Sequence, residues 1–117
     1  MKLEDLTLAE KDFNKLLLEA IDDALASLGE SAKKAVYFHL ENKFKIRKKD
    51  IPYDIENFTD GIEKIFGLGA KFIEILIMKK LYEKVGCTLE WNEKKELNFI
   101  EYVATAKKSF LKKRTFK

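Results

Sequence analysis

The sequence predicts an all-α fold, a compact bundle of about five helices around a central apolar helix. Apolar residues recur every three or four positions along most of the chain, and no segment alternates apolar and polar residues as a half-buried strand does. The chain has 117 residues, 46% of them hydrophobic, which suffices for the core of one domain. We therefore expect a single helical domain over 1–117, with a basic, frayed tail at 112–117.

The first predicted helix runs from Thr7 to about Leu28. Thr7 and Glu10 have the spacing of a capping box, in which each side chain accepts a hydrogen bond from the backbone amide of the other residue. Gly29 follows as a natural stop. The apolar face of this helix consists of residues at helical spacing: Phe13, Leu16, Leu17, Ala20, Ile21, Ala24 and Leu28.

The second predicted helix runs from Ser31 to about Phe44 and is followed by a basic loop. Because Pro52 disfavours helical angles at Ile51, this loop separates the second helix from the third. One face of the second helix carries the residues Ala32, Ala35, Val36, His39 and Leu40.

The third predicted helix can be capped by Asp54. Its interior contains Gly61, which costs about 1 kcal/mol relative to alanine and so indicates close packing at this position. At its end, Gly67 suits a left-handed cap and Leu68 the hydrophobic contact that accompanies such a cap. The apolar face of this helix consists of Ile55, Phe58, Ile62, Ile65 and Phe66.

The fourth predicted helix, residues 70–85, is the most apolar segment and is closed by Gly86. Apolar side chains occur around most of its circumference, and a helix that is apolar on most sides is buried on most sides. We therefore expect it to be the central helix of the bundle or a helix shared with a second subunit. The fifth helix is predicted from Asn92 to about Lys113, with fraying beyond Phe110.

The sequence offers little for catalysis or metal binding. One histidine and one cysteine cannot supply the ligands of a zinc site, and no EF-hand spacing is present, so we expect no metal and no cofactor. His39 has no identifiable nucleophile or acid to work with, and Cys87 follows the end of a helix, whereas reactive cysteines favour helix N-termini. Gly67 and Gly69 before Lys71 lack the remainder of a phosphate-binding loop. We therefore predict no catalytic residue and no enzymatic activity.

The charge of the chain is unevenly distributed. The net charge is only +3, but residues 1–30 are acidic, whereas 43–49 and 107–117 are basic. Clustered cations on one surface can bind the phosphates of nucleic acids, although acidic residues of the first helix would pair with such cations or repel phosphates. Nucleic-acid binding is therefore the alternative function, through Lys43, Lys45, Arg47, Lys48 and Lys49 together with the C-terminal lysines.

The expected location is the cytoplasm. A single cysteine cannot form an intrachain disulfide, which suits a reducing compartment. The N-terminus lacks the apolar core of a signal peptide, and no apolar run reaches the ~20 residues that span a bilayer, so no membrane contact is predicted. Abundant lysine and glutamate, with no glutamine, favour a thermophile, although an AT-rich genome produces the same excess of lysine over arginine.

The excess of apolar residues is the most informative signal for function. Leu89 and Trp91, with Phe72 and Met78 of the fourth helix, are candidates for surface that one small bundle cannot bury. We expect this surface to bind a second copy of the chain, forming a homodimer, or another helical protein. The candidate partner-binding residues are Leu68, Phe72, Ile75, Leu76 and Met78.

Residues 28–86 also resemble a known family. The matching features are Gly29-Glu30-Ser31 at the start of a helix, Tyr37-x-His39-Leu40, Ile51-Pro52, and Ile65-Phe66-Gly67 before an apolar helix that contains Glu74. In these features the chain resembles the Nitrosopumilus output domain family, small archaeal helical domains found alone or attached to regulatory proteins. The resemblance implies an archaeal origin and an output or interaction role, and it transfers no active site.

Overall fold

The computed structural model describes residues 3–88 and 98–115, with side chains described for 7–88 and 98–114. Within these ranges there are five α-helices and no strand, which confirms the predicted all-α class. The helices are α1 (Leu3–Ala26), α2 (Glu30–Phe44), α3 (Ile55–Phe66), α4 (Ala70–Val85) and α5 (Phe99–Thr115). Short 3-10 turns at Lys48–Tyr53 and Gly67–Gly69 lead from α2 to α3 and from α3 to α4.

The core forms where α1 packs along α4. Helix α4 also contacts α3 and α5, and α1 also contacts α2, α5 and the first 3-10 turn. Burying each large aliphatic or aromatic side chain contributes about 1.5–3 kcal/mol, so this apolar seam is the main source of stability. The largest fully buried side chains of the two helices are Phe13, Leu17, Ile21, Leu25, Ile77, Met78 and Leu81.

Helix α4 is central, but it is not buried on most sides as the sequence predicts. Its buried residues form one broad face, and the opposite face, with Phe72, is exposed. The reason is geometric, because α1, α3 and α5 together cover only one side of α4. At its end, Gly86 adopts the left-handed conformation, and the amides of Gly86 and Cys87 both donate to the carbonyl of Tyr82.

Two expectations for α1 are wrong. The helix begins at Leu3, so Thr7 lies inside it and does not cap it. It also ends at Ala26, and the turn that follows takes Leu28 out of helical phase, so Leu28 is exposed. Leu25, which the predicted face omits, is fully buried in its place.

Helix α2 buries a narrower face than predicted. Val36 and Leu40 are buried, whereas Ala35 and His39 are exposed, because α1 and α3 are the described helices against which α2 mainly packs. The close packing predicted at Gly61 is confirmed. A Cβ atom placed on Gly61 would lie 2.7 Å from Cδ2 of Leu40 and 3.4 Å from Cδ2 of Phe44. Glycine at this position lets α2 and α3 approach each other.

The corner between α3 and α4 differs from its predicted geometry in two respects. Gly67 has a positive φ of 57°, which glycine adopts without strain, but its ψ of −124° is not that of the predicted left-handed cap. Leu68, however, does not make the predicted hydrophobic contact, because its side chain is 99% exposed. The 3-10 turn over Gly67–Gly69 directs it away from the bundle.

Helix α5 is ordered further than the sequence predicts. Its predicted beginning at Asn92 lies outside the described residues, but the helix continues to Thr115, through positions where fraying is expected. Two contacts hold its end. Lys113 donates to the carbonyl of Gly86 at 2.6 Å, and Arg114 pairs with Asp12 at 2.7 Å.

We expect Gly61→Val to lower the free energy of unfolding by about 2 kcal/mol, because its side chain would overlap Leu40 in a packed interface. Chemical denaturation monitored by circular dichroism measures this change. Asp60→Val, at the exposed neighbouring position, controls for the helix propensity of valine and should cost under about 1 kcal/mol. Equal losses in the two variants would show that the α2–α3 contact is not close-packed.

Candidate interaction surface

An apolar stripe begins at the α3–α4 corner and continues along the outer side of α4. Leu68 is 99% exposed and Phe72 is 76% exposed, while Ile75 and Leu76 are half-buried. Phe72 and Leu76 are four residues apart, which places them on one side of α4, and Leu68 lies four residues before Phe72 in the preceding 3-10 turn. We call Leu68, Phe72, Ile75 and Leu76 the α4 stripe.

Met78, the fifth residue of the predicted partner-binding face, does not belong to this stripe. Its side chain is fully buried, on the side of α4 that also carries Ile77 and Leu81. Each residue turns a helix by about 100°, and six steps place Met78 about 120° away from Phe72. Leu89 and Trp91, which are further candidates from the sequence, lie outside the described residues.

Other exposed apolar side chains occur singly. Leu8 lies on α1, Leu28 follows α1, Phe38 lies on α2, and Tyr53 ends the first 3-10 turn. Single exposed apolar residues are normal on protein surfaces and indicate no site. Leu68 and Phe72 differ from them because they are four residues apart and continue into further apolar side chains.

The edges of the α4 stripe are charged. Lys71, Lys79 and Glu83 of α4 are all exposed and lie within one or two turns of the stripe. An apolar centre with a charged rim is the usual anatomy of a protein–protein interface. Both signs of charge occur on this rim, so a partner surface can be complementary to it without being strongly charged itself.

The basic segments lose part of their charge to carboxylates of α1. Lys48 contacts Asp22 at 2.9 Å, Arg114 contacts Asp12 at 2.7 Å, and Lys107 lies 3.7 Å from Glu10. Asp12 and Asp22 are ten residues apart, about 15 Å along the axis of a helix. The two basic segments are therefore attached to α1 at separate positions, one near its middle and one near its C-terminal end, and these contacts do not combine them into one surface.

The other residues of the basic loop are exposed. Lys45 donates to the carbonyl of Asn42 at 3.0 Å, and Lys43, Arg47 and Lys49 lie at the surface. Lys48 is thus the one cation of this segment that pairs with a carboxylate among the described residues, and four exposed cations remain. Four separated cations are weak support for binding phosphates, because the affinity of such contacts depends on how many phosphates are neutralised.

Asp22 is the centre of the most connected polar cluster among the described residues. It accepts hydrogen bonds from Lys48, Tyr37 and Lys33, at 2.9, 3.1 and 3.4 Å. The hydrogen bond from Lys48 is the largest cause that lowers the pKa of Asp22 below 3.8, and partial burial opposes it. Burial, with the charge of Asp22, raises the pKa of Tyr37. This cluster joins α1, α2 and the first 3-10 turn, and its role is structural.

The remaining candidates from the sequence are not assembled into a reactive site. His39 is exposed and its ring stands edge-on to that of Phe38, while Cys87 is half-buried against the core. Among the described residues, no group of three or more His, Cys, Asp or Glu could hold a metal ion. Nor does any helix in this part of the chain combine the length and apolar character needed to cross a bilayer.

Comparisons with protein-family models, with curated proteins and with solved structures found no match to this chain. The resemblance of residues 28–86 to the Nitrosopumilus output domain family therefore stays a prediction.

We expect Asp22→Ala to lower the free energy of unfolding by about 1–2 kcal/mol, because it removes the acceptor of three hydrogen bonds. Asp23→Ala is the matched control. Asp23 pairs with Lys84 alone, at the surface, so its loss should cost about 0.5 kcal/mol or less. Urea denaturation at pH 7 measures both changes.

The contribution of Asp22 to the free energy of unfolding should also depend on pH. Because folding lowers the pKa of Asp22, its stabilising effect is present above pH 3.8 and is lost as the pH falls through the lowered pKa. The difference between wild type and Asp22→Ala should therefore shrink under acid. A difference that stays constant down to pH 2 would contradict the assignment of charged hydrogen bonds to Asp22.

Proposed function

We propose that this protein is a helical protein–protein interaction module that self-associates through the α4 stripe. The observation that carries the proposal is the exposure of Leu68, in the 3-10 turn before α4, and of Phe72, on the outer side of α4, whose other face is the core of the bundle. Apolar side chains exposed next to each other cost free energy in water, and covering them with a partner recovers it.

A second copy of the chain is the occupant that fits this stripe best. Leu68 and Leu76 lie four residues before and after Phe72. In an antiparallel pairing of two copies about a two-fold axis at Phe72, Leu68 of each copy therefore lies opposite Leu76 of the other. A surface that matches itself in this way meets the requirement of a two-fold dimer interface.

The expected association is weak. Each large apolar side chain contributes about 1.5–3 kcal/mol when it is buried, and association itself costs several kcal/mol. Stable interfaces bury about 800 Å² on each partner, which is more than four side chains supply. We therefore expect a dissociation constant in the micromolar range or weaker.

The resemblance of residues 28–86 to the Nitrosopumilus output domain family supports a biological context for the proposed interaction module. It favours an output or adaptor role within an archaeal regulatory system in the cytoplasm. An adaptor works by presenting a surface, and neither the described side chains nor the sequence motifs supply a nucleophile with a base beside it.

The double variant Leu68→Ser and Phe72→Ser should abolish self-association, because it removes the two most exposed apolar contacts. Sedimentation equilibrium between about 10 µM and 1 mM covers the range in which a micromolar dimer dissociates. The unfolding midpoint of the monomer should change little, because neither side chain contributes to the core.

The matched control is Phe38→Ser, which removes an aromatic side chain that is 63% exposed on α2, away from the stripe. This variant should associate as the wild type does. A wild type that is strictly monomeric at 1 mM would refute self-association. Dimers that survive the double variant but not Phe38→Ser would place the interface on α2.

A further inference from the structure

A buried carboxyl group lies in the middle of the buried face of α4. Glu74 is only 4% exposed, and its neighbours one turn away on the helix, Ala70, Ile77 and Met78, are buried apolar residues. Its side chain therefore points into the core on the side of α4 opposite the stripe.

One of the two oxygens of this carboxyl group is not satisfied by its surroundings. This atom, Oε2, is buried and has no hydrogen-bond partner among the described residues. A buried carboxylate without a partner is strongly unfavourable, so the group either holds a proton or moves towards water. The closed core therefore accommodates Glu74 when its carboxyl group is protonated and disfavours Glu74 when this group is ionised.

The charged groups around Glu74 act in opposite directions, and the one that disfavours its ionised form has the larger effect. Glu63 of α3 repels a negative charge at this position, while Lys71, in the first turn of α4, attracts it only in part. On α1 and α5 the polar contacts with α4 lie near its other end, at Tyr82 and Lys84, at least eight residues or about 12 Å along the axis.

The two ends of α4 are held differently. At the C-terminal end, Lys84 pairs with Asp23, the Tyr82 hydroxyl donates to the carbonyl of Tyr102, and Lys113 donates to the carbonyl of Gly86. At the N-terminal end, no side-chain hydrogen bond or ion pair joins α3 to α4 within the described residues. Among the described residues, the N-terminal half of α4 is therefore held to the bundle by apolar packing alone, including that of Ile77 and Met78.

The geometry points to a proton-linked switch, in which Glu74 keeps the N-terminal half of α4 closed while neutral and opens the α3–α4 corner when it ionises. The opened corner lets water reach the carboxylate, while the polar contacts at Tyr82, Lys84 and Gly86 hold the rest of the helix in place. This inference concerns the folded monomer and does not depend on self-association through the α4 stripe.

The protonation of Glu74 determines the direction in which pH changes the opening equilibrium and the pH range over which it does so. Burial, with the charge of Glu63, raises the pKa of Glu74 from 4.5 to about 7 in the closed state. Because the closed state binds the proton more tightly than the open state, its stability is greatest below pH 4.5 and is lost as the pH rises through about 7. The opening equilibrium constant should rise about tenfold per pH unit across this window and level off above it.

Amide hydrogen exchange tests the switch. With rates corrected for the intrinsic effect of pH, the amides of residues 70–78 should open more than about tenfold more readily at pH 8 than at pH 5. Amides of residues 79–85 should change less. Glu74→Gln, which cannot ionise, should show no such dependence, and Glu83→Gln, at an exposed site of the same helix, should behave as the wild type.

A carbon NMR titration of the Glu74 side-chain carboxyl measures the pKa of this group independently of hydrogen exchange. Its titration midpoint in the wild type should lie near 7, and Glu63→Gln should lower it because a repelling charge is removed. A midpoint near 4.5, or residues 70–78 that exchange equally at both pH values, would overturn the proposal. Should Glu74→Gln not fold, Glu74→Met supplies the non-ionising variant, and the wild-type titration decides alone.

Discussion

The packing of α1 against α4 joins the beginning of the chain to its centre. Phe13, Leu17 and Ile21 supply one side of this seam, and Ile77 and Leu81 the other. Helices α2 and α5 then pack against parts of α1 that the seam leaves open, and α3 packs against the other helices, including α4. Because three helices cover only one side of α4, the position of its uncovered side, and so of the α4 stripe, follows from the same seam.

Helix α1 organises charge as well as apolar packing. Carboxylates beside its buried face, at Asp12, Asp22 and Asp23, receive cations from α5, from the first 3-10 turn and from α4. The acidic first thirty residues and the basic segments are therefore complementary parts of one bundle. This pairing explains how a chain with strongly uneven charge along its sequence avoids a large surface of one sign.

The periodicity of apolar residues predicts the helices well, because burying one face against a core is what selects those positions. The periodicity does not predict which of the other helices each apolar face packs against. His39 and Leu28 have the spacing of buried residues and are exposed, because α2 has too few neighbours and α1 ends early. Of the predicted partner-binding face, Leu68 and Phe72 are exposed and Met78 is not, and only the direction in which α4 docks separates them. Nothing in the periodicity distinguishes Glu74 as a buried carboxyl, because acidic residues at such positions are usually solvated.

Helices α1 and α4 pack against each other but are far apart in the sequence, which has a consequence during translation of the chain. Translation at about 5–20 residues per second takes several seconds to pass from the end of α1 at Ala26 to the end of α4 at Val85. During that interval the apolar face of α1 has only α2 and α3 as possible cover, and the Asp22 contacts with Lys33 and Tyr37 are already available to hold α2 in place. The nascent chain thus exposes Phe13 and Leu17 until α4 has been synthesised.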